Sequence, residues 1–220
     1  MSKHDTLQSV YDADVSKSQR REAFVSGDIP VAVYGLGKMG LPLAAVYGDV
    51  TGNVVGADID PEVVGALERG ESHVDGEPGL DDLIGELVAD GAFRAVEDPN
   101  EAASAAAIHV IIVPTLIDEN NEPDLSILRA VSESIGSELD DGDLVIVEST
   151  VPPQTSRNVV LPILETQSGM SLGDFGLAFC PERTASGRAL KDIRGAYPKI
   201  VGGADTASTT AAQIIYEEIN

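Results

Sequence analysis

Residues 31–58 read VAVYGLGKMGLPLAAVYGDVTGNVVGAD, and this stretch decides the fold. An apolar run, Val31–Tyr34, enters the turn Gly35-Leu36-Gly37-Lys38-Met39-Gly40. A helix-like stretch follows, then a second apolar run, Val54–Ala57, which ends in Asp58. Strand, glycine turn, helix, strand and acid, in that order, form the pattern of a dinucleotide site. Gly35 permits the tight turn out of the strand. Gly37 lets the backbone approach a pyrophosphate, because a Cβ there would collide with it. Gly40 lets the helix pack closely on the strand. The helix N-terminus offers free N–H groups and the positive end of its dipole to phosphates, so Leu36, Lys38 and Met39 join the three glycines as cofactor-binding positions. Asp58 lies 23 residues after Gly35. A carboxylate at that distance accepts hydrogen bonds from both ribose hydroxyls of NAD and repels the 2′-phosphate of NADP. An ordinary glycine-rich turn can carry GxGxxG; the flanking runs and the acid make the signal specific.

Composition sets the bounds. At 43% hydrophobic over 220 residues the chain can build a real core. Trp is absent and Phe and Tyr together number nine, so that core must come from Val, Ile, Leu and Ala. This suits a parallel sheet covered by helices. The net charge of −23 comes from 37 acids against 14 bases, and it disfavours nucleic acid and anionic membranes as partners. The acids are spread through globular sequence, which points to a halophilic protein whose self-repulsion is screened by a salt-rich cytoplasm. A single cysteine, Cys180, excludes an internal disulfide framework and a Cys-rich metal site. His4, His73 and His109 are not at metal-ligand spacing, so no metal is expected, and His109 reads as a structural residue at the start of a buried strand. No apolar run approaches a membrane span, and the N-terminus has no signal-like segment. These features predict a soluble, cytoplasmic protein.

Residues 1–28 are polar, and Val10, Tyr11 and Val15 would mark one face of a short peripheral helix or a partly ordered tail. From residue 29 strands and helices alternate. Strands are expected at Pro30–Tyr34, Val54–Asp58, Phe93–Val96, His109–Val113, Asp143–Glu148, Gly176–Phe179 and Lys199–Val201. Helices are expected at Met39–Val50, Pro61–Arg69, Gly79–Asp90, Asp98–Ala107, Leu125–Leu139, Asp205–Ile219 and, after a loop and with a kink at Pro162, towards Leu164. The segment PTLIDENNEPD reads as a loop, and residues 180–194 as a long loop with one helical turn. The pattern predicts an α/β fold of Rossmann-like, doubly wound type, a mostly parallel sheet with helices on both faces. Its domain comprises residues 29–204, behind the N-terminal extension.

Three loops follow strand C-termini in the second half: Pro114-Thr115, Ser149-Thr150-Val151-Pro152-Pro153, and Cys180-Pro181-Glu182-Arg183. Ligands of open α/β sheets sit beyond those strand ends, so the three loops converge on the mouth of a cofactor cleft. Singly, such residues equally suit turns. Together on one edge, their hydroxyls and carboxylate can position a substrate or a water.

With YGLGKMGLPLA, GADID, VPT, ESTVPP and CPERTASGRALKDI followed by IVGG, residues 30–220 resemble the nucleotide-sugar 6-dehydrogenases, which include the UDP-glucose and UDP-N-acetylmannosamine dehydrogenases. The CPER form is more similar to the UDP-N-acetylmannosamine branch. The resemblance implies NAD-dependent oxidation of a UDP-sugar C6 alcohol to a uronate, as in polysaccharide biosynthesis. An aldehyde is captured by a cysteine thiol, oxidised to a thioester and hydrolysed. It implies that Thr150 orients the water and borders the cofactor, that Glu182 acts as acid/base or water-positioning group beside the substrate, that Pro114 and Thr115 contact the nicotinamide half, and that Arg183 borders the nucleotide-sugar. Gln154 stands where the family commonly has Gly, and TASGRAL departs from the usual Pro-Gly form. The resemblance also implies that the nucleophilic Cys, with a Lys and an Asn, belongs to a second half absent from residues 1–220. Asp205–Asn220 then begins a central helix through which the full-length enzyme forms a homodimer, leaving Ile214, Ile215 and Ile219 exposed. Cys180 is expected to be a buried thiol, and Lys191 and Lys199 surface or loop residues.

Two other readings share the glycine turn. A β-hydroxyacid or 6-phosphogluconate-type dehydrogenase would suit GLGKMG but needs neither ESTVPP nor CPER. A non-catalytic NAD-binding module would account for the missing thiol.

Overall fold

The strands found are short and almost wholly apolar, which is what a sheet covered on both faces requires. The computed structural model of the chain describes residues 9–12, 14–195 and 198–220. The elements run α1 (Lys17–Val25), β1 (Val31–Tyr34), α2 (Gly40–Thr51), β2 (Val54–Ala57), α3 (Pro61–Glu68), α4 (Leu80–Ala89), β3 (Phe93–Val96), α5 (Pro99–Ala105) and β4 (Ile108–Ile111). A small hairpin, β5 (Leu116–Ile117) and β6 (Pro123–Asp124), precedes α6 (Ser126–Glu138) and β7 (Leu144–Val147). After a π-helical turn at Ser156–Val160 come α7 (Leu161–Ser168), β8 (Gly176–Phe179), α8 (Ala189–Ile193), β9 (Gly202–Gly203) and α9 (Thr206–Ile219).

The main sheet has the order β3-β2-β1-β4-β7-β8-β9. All its pairings are parallel except the edge strand β9, which is antiparallel to β8. This is the doubly wound arrangement expected, with β1 in the middle and Val31 flanked by Val54 and Ile108. Successive β1 residues feed opposite cores. Val31 and Val33 join Leu41, Tyr47, Ile84 and Ile215 on one face. Ala32 and Tyr34 join Ala102, Ile135 and Leu164 on the other. Each fully buried aliphatic side chain contributes about 1.5–3 kcal/mol. Local chemistry sets the helix starts: Asp60 and Asp98 accept from the N–H groups of Glu62 and Asn100, each with proline at the next position.

Several expectations need correction. The loop PTLIDENNEPD carries the hairpin β5–β6, closed because Asp118 accepts from the N–H groups of Asn120 and Glu122 while Asn121 turns at φ +61°. No strand forms at Lys199–Val201. Pairing begins at Gly202, because Lys199 turns its side chain inward and Ile200 faces solvent. The kink at Pro162 takes the form of the π turn just before it, which relieves the clash of the proline ring with the carbonyl four residues back.

The N-terminal extension is more than a tail, although its residues 1–8 and Ala13 lie outside the described residues. Val10 and Tyr11 are buried, but they precede the helix instead of marking its face. The Tyr11 hydroxyl donates to Asp205 Oδ2 (2.8 Å), and Phe24 of α1 packs edge-on against Tyr47. The apolar face expected to be exposed on the last helix is instead buried, with Ile214, Ile215 and Ile219 at 3%, 0% and 3% exposure. That face lies on the sheet and α2, with α1 alongside.

Candidate functional site

The turn between β1 and α2 is built by two close approaches. Gly35 has φ +94°, and a Cβ there would come within 2.8 Å of the Ile112 carbonyl oxygen. A Cβ on Gly40 would sit 1.8 Å from the carbonyl oxygen of Gly35, so only glycine lets α2 start where it does. Gly37 differs: among the described residues, its own chain neighbours apart, no atom lies within 4 Å of the place its Cβ would occupy. Intrahelical bonding begins with Leu41 N–H to the Gly37 carbonyl (3.0 Å). The N–H groups of residues 37–40 donate to no group among the described residues. Four free donors at the positive end of a helix, around a space a side chain would fill, form an anion cradle. Asp58, at the end of β2, closes the turn by accepting from Leu36 N–H (2.8 Å) and Asp60 N–H (3.1 Å).

A cleft of about 600 Å³ runs along the C-terminal strand ends from β3 to β8. Gly35, Gly37, Lys38, Met39, Gly40, Asp58, Pro114, Thr115, Thr150 and Glu182 all border it, so the structure gathers most of the residues the sequence singles out. Leu36 does not face it; its side chain is buried and packs on Gly56, and only its N–H serves the site. Arg183 borders a smaller neighbouring cavity and donates to the Pro198 carbonyl. The Thr115 hydroxyl is buried at the cleft wall, with no hydrogen-bond partner among the described residues. Ser149 Oγ donates to the Val113 carbonyl (2.8 Å), which ties the loop after β7 to the loop after β4. The donor set, the open cradle and the orphaned Thr115 hydroxyl fit a dinucleotide such as NAD.

Three acidic residues escaped the sequence reading. Glu97, after β3, borders the cleft near Asp58. Glu77 is nearly buried and accepts from the N–H groups of Gly187 (3.0 Å) and Leu190 (3.1 Å), which pins the 185–190 loop and caps α8. Glu148, the first residue of ESTVPP, is fully buried at the cleft wall. It pairs with Lys199 Nζ and accepts from the Tyr216 hydroxyl of α9. Burial pushes its carboxyl up, and the Lys199 charge opposes that rise. Lys199 therefore lies in a loop, one of the two places expected from sequence, but its side chain turns inward, 16% exposed, to pair with the buried Glu148. The only signal in sequence was an acid closing an apolar strand.

Two further titratable groups lie inside the fold, away from the cleft lining. His109 is fully buried, with Nδ1 beside the Tyr34 hydroxyl (3.1 Å) and Nε2 facing Asp143 (3.5 Å). Cys180 is fully buried, and burial, with the nearby Glu148 charge, pushes its thiol up to about 12. Among the described residues no group of three or more His, Cys, Asp or Glu is arranged to hold a metal ion, and no helix is long and apolar enough to cross a membrane.

The model of the NAD-binding domain of the UDP-glucose/GDP-mannose dehydrogenase family matches residues 29–220. The UDP-N-acetyl-D-mannosamine dehydrogenase of Campylobacter jejuni is 35% identical over 181 residues, 79% of this chain and 43% of that protein. The GDP-mannose 6-dehydrogenase of Pseudomonas putida is 34% identical over 194 residues, 86% of this chain and 44% of that protein. The structure of the UDP-N-acetylmannosamine dehydrogenase from Pyrococcus horikoshii superposes with a TM-score of 0.82 at 32% identity, covering 87% of this chain and 45% of that one. The chain thus spans less than half the length of the relatives it matches.

Two glycine substitutions separate cradle from scaffold. Gly37→Ala is expected to leave the urea midpoint unchanged while weakening NAD binding at least about tenfold, since the new methyl enters only the anion space. Gly40→Ala meets backbone and is expected to cost about 1–3 kcal/mol of stability as well. Undiminished NAD binding by a folded Gly37→Ala chain, measured by calorimetry, would remove the cradle assignment.

Cys180 sets an alkaline limit. A thiol held up near 12 in the fold, against an ordinary 9.0, stabilises the fold fully below the lower value. That contribution, about 4 kcal/mol at one pKa unit per 1.36 kcal/mol, is lost as pH rises from the lower value through the upper. The urea midpoint should therefore fall across this window, and fall less in Cys180→Ala. Native chain should resist iodoacetamide until unfolded; labelling at a free-thiol rate would contradict the burial.

Proposed function

Because the chain belongs to the UDP-glucose/GDP-mannose dehydrogenase family, as its NAD-binding domain, we propose that it serves an enzyme oxidising the C6 alcohol of a nucleotide-linked sugar to the carboxylate. One observation supports this most: a single cleft is bordered by the anion cradle and Asp58 at one end and by Thr150 and Glu182 at the other. In this reading residues 35–40 hold the diphosphate, and Asp58 holds the adenosine ribose and turns away NADP. The nicotinamide half then lies towards Thr115, Thr150 and Glu182. NAD, when bound, supplies the hydride acceptor. Thr150 orients a water, Glu182 holds or moves a proton beside the reacting carbon, and Arg183 borders the sugar nucleotide.

The sugar we propose is UDP-N-acetylmannosamine, on the CPER form of residues 180–183; UDP-glucose is the alternative. The burial and raised pKa of Cys180 support the reading that the nucleophilic thiol is another one, outside residues 1–220. The domain then comprises residues 29–204, and α9 is the beginning of a central helix. Pairing of two copies through that helix would use faces other than Ile214, Ile215 and Ile219, which are buried.

With NAD and UDP-N-acetylmannosamine this chain is expected to bind NAD and to form no steady NADH by absorbance. Absence of NAD binding would end the reading. Sustained NADH formation would overturn the need for a second thiol.

The net charge of −23 supports work in a salt-rich cytoplasm. Thermal unfolding should move to clearly higher temperature from dilute buffer to multimolar KCl, as screening removes self-repulsion. A midpoint indifferent to KCl would sink this assignment.

A further inference from the structure

The buried pair of Glu148 and Lys199 has no part in the roles assigned above, yet it stands at the end of the cleft where the chemistry is proposed. Glu148 and Glu182 border both the cleft and a neighbouring cavity of about 30 Å³, and Lys199 and Tyr216 border that cavity from behind. The two glutamates are linked through the backbone, since Glu182 N–H donates to the Glu148 carbonyl (3.2 Å). Lys199 Nζ meets the Glu148 carboxylate and lies 4.8 Å from the centre of the Tyr216 ring. Its side chain is only 16% exposed. Tyr47, Tyr216 and Cys180, all held neutral, also feel the Glu148 charge, and Glu182 acts on it in turn. Arg183 borders the same small cavity but is exposed and donates to the Pro198 carbonyl. Arg188 and Asp192, further along, pair with each other.

A buried ion pair is a weak source of stability, because desolvation offsets most of its Coulomb energy. A charge-balancing role suits the geometry better. We infer that Lys199 is a positioning residue that neutralises Glu148, so that of the two glutamates at this end of the cleft only Glu182 adds its charge, and the end thereby discriminates between the oxidised and reduced forms of a nicotinamide bound there. The oxidised ring bears a positive charge and the reduced ring none. The ratio of the NADH and NAD dissociation constants therefore reads the net charge at this end, whatever happens to binding as a whole.

The inference rests on the reading that the nicotinamide lies at the Thr150–Glu182 end. Its test is equilibrium binding of NAD and of NADH to the folded chain, by calorimetry and NADH fluorescence. Glu148→Gln keeps the shape and an acceptor for Tyr216 but leaves the Lys199 charge uncancelled. It should shift preference towards NADH by about three- to tenfold, the scale of one charge interacting across a partly screened site. The double variant Glu148→Gln with Lys199→Met removes both charges and should restore the wild-type ratio. A purely structural pair predicts instead that both variants weaken the two cofactors alike and that the double variant recovers nothing.

Glu182→Gln, at a partly exposed position that does not endanger folding, supplies the control and should shift the ratio in the same direction. A shift in Glu182→Gln with none in folded Glu148→Gln, or no recovery in the double variant, overturns the inference and leaves the placement of the nicotinamide standing. No shift in any variant overturns that placement and the inference with it. Should Glu148→Gln not fold, Lys199→Met decides instead: with the Glu148 charge uncancelled, preference should shift towards NAD by a similar factor, and an unchanged ratio in that folded chain overturns the inference. Binding of neither cofactor by the wild-type chain would end the NAD reading itself.

Discussion

The contact on which the rest of the molecule depends is the one between the start of α2 and the end of β1, where Gly40 faces the Gly35 carbonyl with no room for a side chain. Because the helix begins this close, its first free N–H groups point past the end of the strand rather than into packing. The same closeness lets Leu41 and Tyr47 reach the core beneath. Asp58 then locks the turn from the neighbouring strand through Leu36 N–H. Packing and binding are therefore one constraint here. The carboxylate suited to a ribose also holds the backbone that would hold the phosphates, so the cradle is preformed before any ligand arrives.

The opposite end of the cleft is organised by charge instead of close packing. Glu148 comes from β7's end, Glu182 from β8's, Lys199 from the segment before β9 and Tyr216 from the last helix. A fully buried carboxylate needs a partner, since leaving it uncompensated costs several kcal/mol. Lys199 can serve only because α9 and the segment before β9 are docked. Docking in turn uses Ile214, Ile215 and Ile219 against the sheet and Tyr11 against Asp205, the N-cap of α9. The N-terminal extension and the last helix thus bear on the cleft without bordering its cofactor end.

Elements whose signal is local were legible in the sequence. The sheet core was read from apolar runs such as HVIIV, and the glycine turn from spacing alone. The helix bounds expected fell within a residue or two of those observed, and the structure shows why: Asp60 and Asp98 cap helices whose next residue is proline, and Gly52 closes α2, all local signals. What was missed depends on distant partners. Ile200-Val201 has the composition of a strand, but its register is decided by Lys199 reaching Glu148. The isoleucines of α9 looked like an unpartnered stripe because their partners on α2 and β8 lie far away in the chain. Glu77 gave no signal, since its function is to accept two N–H groups more than a hundred residues away. For the same reason the converging loops could be read at the cleft, whereas the charge pair behind them could not.

Gln154 shows how the fold absorbs a local departure. Its backbone has φ +69°, a conformation that glycine enters freely and other residues enter at a cost of about 1–3 kcal/mol. The side chain recovers little of this, with Oε1 only 3.3 Å from Asn158 Nδ2 on the exposed surface. The conformation persists because both flanks are fixed. Ser149 is tied to the loop after β4, and Val160 and Leu164 are buried beneath the helix that follows. The widened π turn at Ser156–Val160 takes up the mismatch between the strained corner and the helix held by Pro162. Thr150 stands between the fixed serine and the strained glutamine, so its placement at the cleft is imposed from both sides and does not require a glycine at position 154.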